Sequence, residues 1–310
     1  MSAFTWRDGP RTVHYGEGIA ERAAGLLGEH GWDSFQVLTT DRADPGIGPA
    51  VHVPAGQIPD VAERLLGAVT ADRLVAWGGG RVIDVAKAIA SATGAEVAAV
   101  PTTLSGAEMT GSHRRIAGRE NDPHVRPVLV IADPRLMCSL DEPALRASAM
   151  NALAHGAEAL YGPTANPVSS LAAERGIELI ASGDRALGAL LCSYAMDSAG
   201  YALHHVLCQT LVRTAGTPHA ETNAAMAPRT MSFVAERAPD AVAGLARALG
   251  CSLGDIGQRL DELGGRSRID VPPERVDAVV RSALGRPELA ATPGGDVSAD
   301  DIRRLLTPET

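Results

Sequence analysis

The amino-acid sequence predicts two domains of different class, an α/β domain followed by an all-helical one. Three observations carry this. Short apolar runs alternate with helix-patterned stretches up to about residue 138. One of these runs, Leu74-Val75-Ala76-Trp77, leads into three glycines and then a new helical pattern. Beyond about residue 139 the strand signals stop, and alanine- and leucine-rich stretches at helical spacing take over. The expected domains are 1–139 and 140–310 of the 310 residues.

Residues 11–15 read as a short strand and 18–30 as a helix. Residues 34–39 form a strand ending at Thr40-Asp41, and a stretch bearing proline and glycine follows. Residues 59–70 are helical. The strand 74–77 precedes Gly78-Gly79-Gly80, and the next helix carries Val82, Ile83, Val85, Ala86, Ile89 and Ala90. Strand 96–100 ends at Pro101-Thr102-Thr103, and strand 128–132 closes on Asp133-Pro134. Strands alternating with helices indicate a parallel sheet covered on both faces. Ligands of such sheets bind beyond the carboxyl ends of the strands. Asp41, the three glycines and Thr102-Thr103 all lie at such ends. In the second half, 143–161, 167–191, 194–216 and 221–237 read as helices and 287–297 as loop, with Ser298-Ala299-Asp300-Asp301 capping a last short helix.

Composition narrows the function. The net charge is −9, and no lysine/arginine run with interleaved aromatics occurs, which argues against nucleic acid. Aromatics are only 3% of a chain that is 45% hydrophobic, so the core is expected to be aliphatic. The four cysteines are far apart with no CxxC, as expected of reduced thiols in a cytoplasmic protein. No apolar segment suggests a signal peptide or a membrane span.

Two groups of residues suggest chemistry. A strand, a glycine turn and a helix start can cradle a phosphate, because glycine admits close backbone approach and the first helical N–H groups are free. The same pattern is also a common tight turn, and it is not the G-x-G-x-x-G dinucleotide fingerprint. Lys87, the only lysine in the chain, sits in this helix. The second group is made of histidines. Asn151 and His155 are spaced i, i+4 on one helix face. His219 follows His205 by 14 residues, and Pro218 places it at a helix start. Histidines on different helices can converge on a divalent metal. Each can equally be a core or surface imidazole.

The ordered motifs decide between these readings. They are Gly78-Gly79-Gly80-x-x-x-Asp84-x-x-Lys87, Val100-Pro101-Thr102-Thr103-x-x-Gly106-x-Glu108-x-Thr110, Asp133-Pro134, Asn151-x-x-x-His155-x-x-Glu158, and His205 followed by Pro218-His219-x-x-x-Asn223. Together they resemble the iron-containing alcohol dehydrogenase superfamily, a Rossmann-like domain plus a helical domain in a fold similar to that of dehydroquinate synthase. Within it, Thr102-Thr103-Leu104-Ser105-Gly106-Ala107-Glu108, Leu203-His204-His205 and Pro218-His219-Ala220-Glu221-Thr222 are most similar to maleylacetate reductases.

The resemblance implies an NAD(H)-dependent reductase acting on an unsaturated oxo-diacid held between the domains, and a homodimer. Gly78, Gly79 and Gly80 would hold the pyrophosphate, with Gly106 in the adjoining loop. Thr102 and Thr103 would meet the nicotinamide-side phosphate and ribose. Asp41 would accept from the adenosine ribose hydroxyls and repel a 2′-phosphate. Asp84 would pin the glycine turn or be structural, and Lys87 would be a solvated helix residue. His155, His205 and His219 match three metal-ligand positions for Fe2+ or Zn2+. Asn151 stands where metal-dependent members have aspartate, so the amide leaves the ion's charge uncompensated. Without an ion, the histidines would polarise the substrate carbonyl or relay a proton.

Several features depart from the family pattern. Arg81 replaces a small hydroxyl residue. The lysine usual after the threonine motif is missing, with His113, Arg114, Arg115 or Arg119 as substitutes. The stretches 41–78 and 155–205 read as shortened. Arg114 and Arg115 are candidates for the substrate carboxylates. The other readings are a metal-dependent alcohol dehydrogenase or aldehyde reductase, a sugar-phosphate cyclase, and a repurposed homologue in a biosynthetic pathway.

Overall fold

The computed structural model describes residues 3–41 and 45–307. The chain forms two compact units, Met1–Leu140 and Asp141–Thr310. In the first, a seven-stranded sheet runs in the order β1-β2-β7-β6-β5-β3-β4. The strands are β1 (Phe4–Asp8), β2 (Arg11–Tyr15), β3 (Gln36–Thr39), β4 (Ala50–His52), β5 (Arg73–Gly78), β6 (Glu96–Pro101) and β7 (Leu129–Ala132). The helices are α1 (Ala23–Glu29), α2 (Ile58–Leu66), α3 (Gly80–Thr93) and α4 (Pro134–Met137).

Alternate strand residues feed two cores. Leu38, Leu74, Ala76, Val97 and Ala99 pack with α2 and α3 on one face. Val37, Val75, Trp77, Ala98 and Val100 pack with α1 on the other. Burial on both faces explains why the central strands read as unbroken apolar runs. The expected parallel sheet is present with one correction. β1 pairs antiparallel with β2, from Phe4 opposite Tyr15 to Asp8 opposite Arg11. β1 alternates half-buried and exposed residues, as an edge strand does. β4 is a second addition, too short at three residues to carry a pattern.

The path of the chain fixes where a ligand is expected. From β3 it runs outward to β4, whereas from β5 it runs the other way, to β6 and β7. The strand order therefore reverses between β3 and β5, and a switch point of this kind is where α/β sheets bind ligands. Asp41 follows one of these strands, and Gly78 ends the other.

The second unit is helical: α5 (Glu142–Ala159), α6 (Pro167–Ser182), α7 (Arg185–Ala199), α8 (Leu203–Thr214), α9 (His219–Arg237), α10 (Ala243–Leu249), α11 (Ile256–Leu263), α12 (Pro273–Leu284) and α13 (Ala299–Leu306). Two stretches expected as single helices are broken by glycine. Gly183, at φ 103°, ends α6, and Gly200, at φ 77°, ends α7. The expected loop 287–297 contains a 3-10 turn, Pro287–Ala291. Asp141, Asn166 and Ser298 cap α5, α6 and α13 through their side chains. Among the described residues, no helix is long and apolar enough to cross a membrane.

Candidate active site

In the first unit the glycine turn is packed against the threonine loop. A Cβ on Gly79 would lie 2.9 Å from Thr103 Cγ2, and one on Gly80 would lie 2.8 Å from Ser105 Cβ. A Cβ on Gly78 would lie 2.7 Å from Val82 Cγ2. The main-chain N–H of Thr102 donates to the Gly78 carbonyl at 3.0 Å. Side chains at 79 and 80 would push the loop away from the start of α3, whose first N–H groups have no partner within the helix. The arrangement fits a pyrophosphate at the helix start, as glycine-lined helix N-termini do. A cavity of about 530 Å³ lies nearby at the carboxyl ends of β5 and β7, lined by Trp77, Ile47, Pro45, Leu136, Asp133 and Arg135 among others.

The loop from Thr102 to Ser112 is anchored by two buried cations. Lys87 is fully buried, which corrects its reading as a solvated residue. Its Nζ donates to the carbonyls of Ala107 (3.0 Å) and Ser112 (2.8 Å) and pairs with Asp84 at 2.9 Å. The ammonium thus has two full hydrogen bonds and one ion pair. Asp84 acts through Lys87, a structural use. Arg11, also buried, donates to the Met109 carbonyl at 2.7 Å and to Asp8 at 2.6 Å. Gly106 supplies the turn, at φ 78°, and Met109 N–H donates back to it. Glu108 is buried beside these cations, and neither of its oxygens has a full hydrogen bond among the described residues. Burial pushes its carboxyl up to about 7. Its own main-chain N–H, Lys87 and Arg11 offset this only in part.

Asp41 is largely exposed and pairs with His52 at 2.5 Å. Arg114 donates to Gln57 at 2.8 Å, and Arg119 pairs with Asp122. His113 is bonded to Val125 N–H, and burial holds it down at about 4. These three are tied into local structure. The Nε of Arg115 is buried with no partner among the described residues.

In the second unit, α5 carries Asn151, His155 and Glu158, all buried, within an alanine-rich helix. Glu158 is the organising group. Its Oε1 accepts from the main-chain N–H of Ala202 (3.1 Å) and His204 (2.7 Å), and its Oε2 from that of His205 (3.2 Å). It thereby caps α8 from a neighbouring helix. Oε2 also accepts from His205 Nδ1 at 2.6 Å. Burial opposes ionisation of Glu158, but the hydrogen bond and charge of His205 outweigh it and hold the carboxyl below its ordinary range. Nδ1 of His205 therefore carries a proton whether or not Nε2 does. Nε2 is buried with no hydrogen-bond partner among the described residues.

The His155 ring stacks on the His205 ring at 4.7 Å between centroids, and its Nδ1 lies 3.3 Å from Ser193 Oγ. Burial, then the charges of His205, His219 and His204, keep His155 well below its ordinary range. His219 opens α9 as expected and is exposed. His204 is a core imidazole, bonded to Thr230 (3.0 Å) and Asn223 (3.1 Å) and held down at about 3 by burial. The structure thus brings His155 and His205 into contact and places His219 within electrostatic reach of His155. Asn151 lies one turn before His155 on the same helix.

His155, His205, Asn151 and, at the start of α9, His219 are the side chains at hand for an Fe2+ or Zn2+ ion. Asn151 offers an amide, and Glu158 is committed to α8 and His205. Within this set, His155 and His205 form an imidazole pair with one oriented ring.

The fold and site define an oxidoreductase of the iron-containing alcohol dehydrogenase family, to which the chain belongs. Residues 36–137 match that family's iron-containing alcohol dehydrogenase domain, and residues 181–306 match its C-terminal domain. The maleylacetate reductase of Burkholderia cepacia is 32% identical over 93% of this chain and 84% of its own length. The crystal structure of maleylacetate reductase from Rhizobium sp. strain MTP-10005 superposes with a TM-score of 0.82 at 28% identity, covering 99% of this chain and 97% of that one. The iron-containing alcohol dehydrogenase of Thermotoga maritima shares the fold, with a TM-score of 0.79 at 20% identity over 97% of this chain and 98% of that one. The chain is an oxidoreductase resembling maleylacetate reductase.

Proposed function

We propose that this oxidoreductase is an NAD(H)-dependent reductase of an unsaturated oxo-diacid of the maleylacetate type. The observation that carries the reading is His205, held by Glu158 through Nδ1 with Nε2 left for a substrate oxygen. The bound nicotinamide would supply the hydride. The start of α3, with Gly78, Gly79 and Gly80, binds the pyrophosphate. Thr102 and Thr103 hold the nicotinamide side, and Asp41 the adenosine ribose. A carboxylate at 41 disfavours a 2′-phosphate, so NADH is preferred over NADPH.

In its protonated form His205 offers Nε2–H to the substrate carbonyl while Glu158 stabilises the positive ring. Polarising that carbonyl makes the remote carbon of the conjugated alkene electrophilic. Hydride adds there, and a proton adds to the carbon beside the carbonyl. His155, kept neutral by burial and its neighbours, packs the His205 ring in place. The four free thiols suit a cytoplasmic enzyme, and a homodimer completes the reading.

The test is NADH oxidation with maleylacetate and a panel of aldehydes, with and without added iron or zinc. The expected result is turnover of maleylacetate that added metal does not raise. Aldehyde turnover that appears only with metal would overturn the reading.

A further inference from the structure

Outside the imidazole pair, one cluster lies against the same stretch of α8. Gln209 is one turn beyond His205, so the two side chains share a helix face. Tyr201, four residues before His205, sets its ring 5.8 Å from the His205 ring. Arg286 joins these two flanking residues. Its Nη2 donates to Tyr201 Oη at 2.9 Å, and both terminal nitrogens reach Gln209 Oε1 at 3.2 Å. A guanidinium is thus held between the two residues that bracket the oriented histidine.

Arg286 also grips a carboxylate. Nε donates to Glu288 Oε2 at 3.0 Å and Nη2 to Oε1 at 2.9 Å, the fork that planar carboxylate recognition uses. Tyr201 Oη, which accepts from Arg286, donates to the same Glu288 Oε1 at 3.1 Å. The guanidinium side chain is 17% exposed and the Glu288 side chain 34%. The carboxylate is therefore the more solvent-accessible partner, in the 3-10 turn Pro287–Ala291 two residues along the chain. The bonds of Arg286 to Gln209 and Tyr201 do not involve Glu288.

We propose that Arg286 is the anchor for a substrate carboxylate in this site, and that Glu288 occupies that place until the substrate arrives. Tyr201 Oη provides a further donor to the incoming group. The inference rests on the reading of His205 as the proton-bearing group of an oxo-diacid reductase, and it adds the residues that select a dianionic substrate. An ordinary structural ion pair would lose function in the same direction from either partner. A substrate mimic predicts opposite effects.

The experiment measures KM and kcat for maleylacetate at saturating NADH, the KM for NADH, and melting temperature, in Arg286→Met, Arg286→Lys, Glu288→Gln and His205→Gln. Arg286→Met is expected to raise the KM for maleylacetate at least tenfold while the KM for NADH stays within twofold. Arg286→Lys falls between, because lysine lacks the fork. Glu288→Gln is expected to lower the KM for maleylacetate a few-fold, since a neutral amide competes less well for the guanidinium. If Arg286→Met does not fold, the lysine and Glu288 variants decide. An unchanged KM in the Arg286 variants, or a raised KM in Glu288→Gln, overturns the proposal. Full activity in His205→Gln would instead remove the underlying reading.

Discussion

Glu108 and Glu158 are both fully buried carboxyl groups, and their surroundings push them in opposite directions. Glu158 receives three main-chain N–H groups and an imidazole, so its charge is met. Glu108 has cations nearby but no full hydrogen bond, so burial prevails and raises it to about 7. The sign of the stability effect follows. A carboxyl raised on folding favours the native state below its ordinary range, and that advantage is lost as pH rises through about 7. Melting temperature is expected to fall between pH 5 and pH 8, with a change in stability of up to about 3 kcal/mol. Glu108→Gln should flatten that slope, and an unaltered slope would show that Glu108 is ionised throughout. Glu158→Gln keeps the shape but places an amide N–H₂ against N–H groups. It should lower kcat by 10- to 100-fold, the usual effect of removing a group that orients a working histidine. The histidine candidates and the His155-x-x-Glu158 spacing are legible in the sequence. The partner of Glu158 is not, because it lies 47 residues further on in His205. An acid within an alanine-rich run is the available signal. Lys87 reads as solvated for a related reason, since two of its three partners are carbonyls of a distant loop.

At the scale of elements, β5, the glycine turn, α3 and the loop after β6 are the parts proposed to position the cofactor. Gly79→Ala would bring a methyl to 2.9 Å from Thr103. Relief of that contact should cost about 1–3 kcal/mol in stability and weaken NADH binding at least tenfold, as read by fluorescence titration. Wild-type affinity would mean that the loop has no part in binding. Lys87→Met should cost about 3 kcal/mol by stranding Asp84 and two carbonyls, which denaturant unfolding would measure. The central strands are readable because burial on both faces gives unbroken apolar runs. β1 escapes such a reading since only one of its faces is covered, and β4 because three residues carry no pattern. The breaks at Gly183 and Gly200 are hidden because alanine and leucine continue the helical spacing on either side.

For the molecule as a whole, the order of five short motifs points to the family, and matches spanning most of the chain support it. What spacing does not convey is the fate of the metal-type positions. Three histidines and an asparagine in the right order suggest an ion. Folding adds what the order leaves out: a stacked pair, an exposed third imidazole, and a glutamate committed to helix capping. The central claim is that His205, oriented by Glu158, polarises the substrate carbonyl through Nε2–H. The most direct test compares NADH oxidation with maleylacetate by the wild-type enzyme and by His205→Gln, with NADH binding measured in parallel. The account predicts at least a hundredfold loss of kcat with cofactor affinity unchanged. Equal turnover by the two proteins would contradict it.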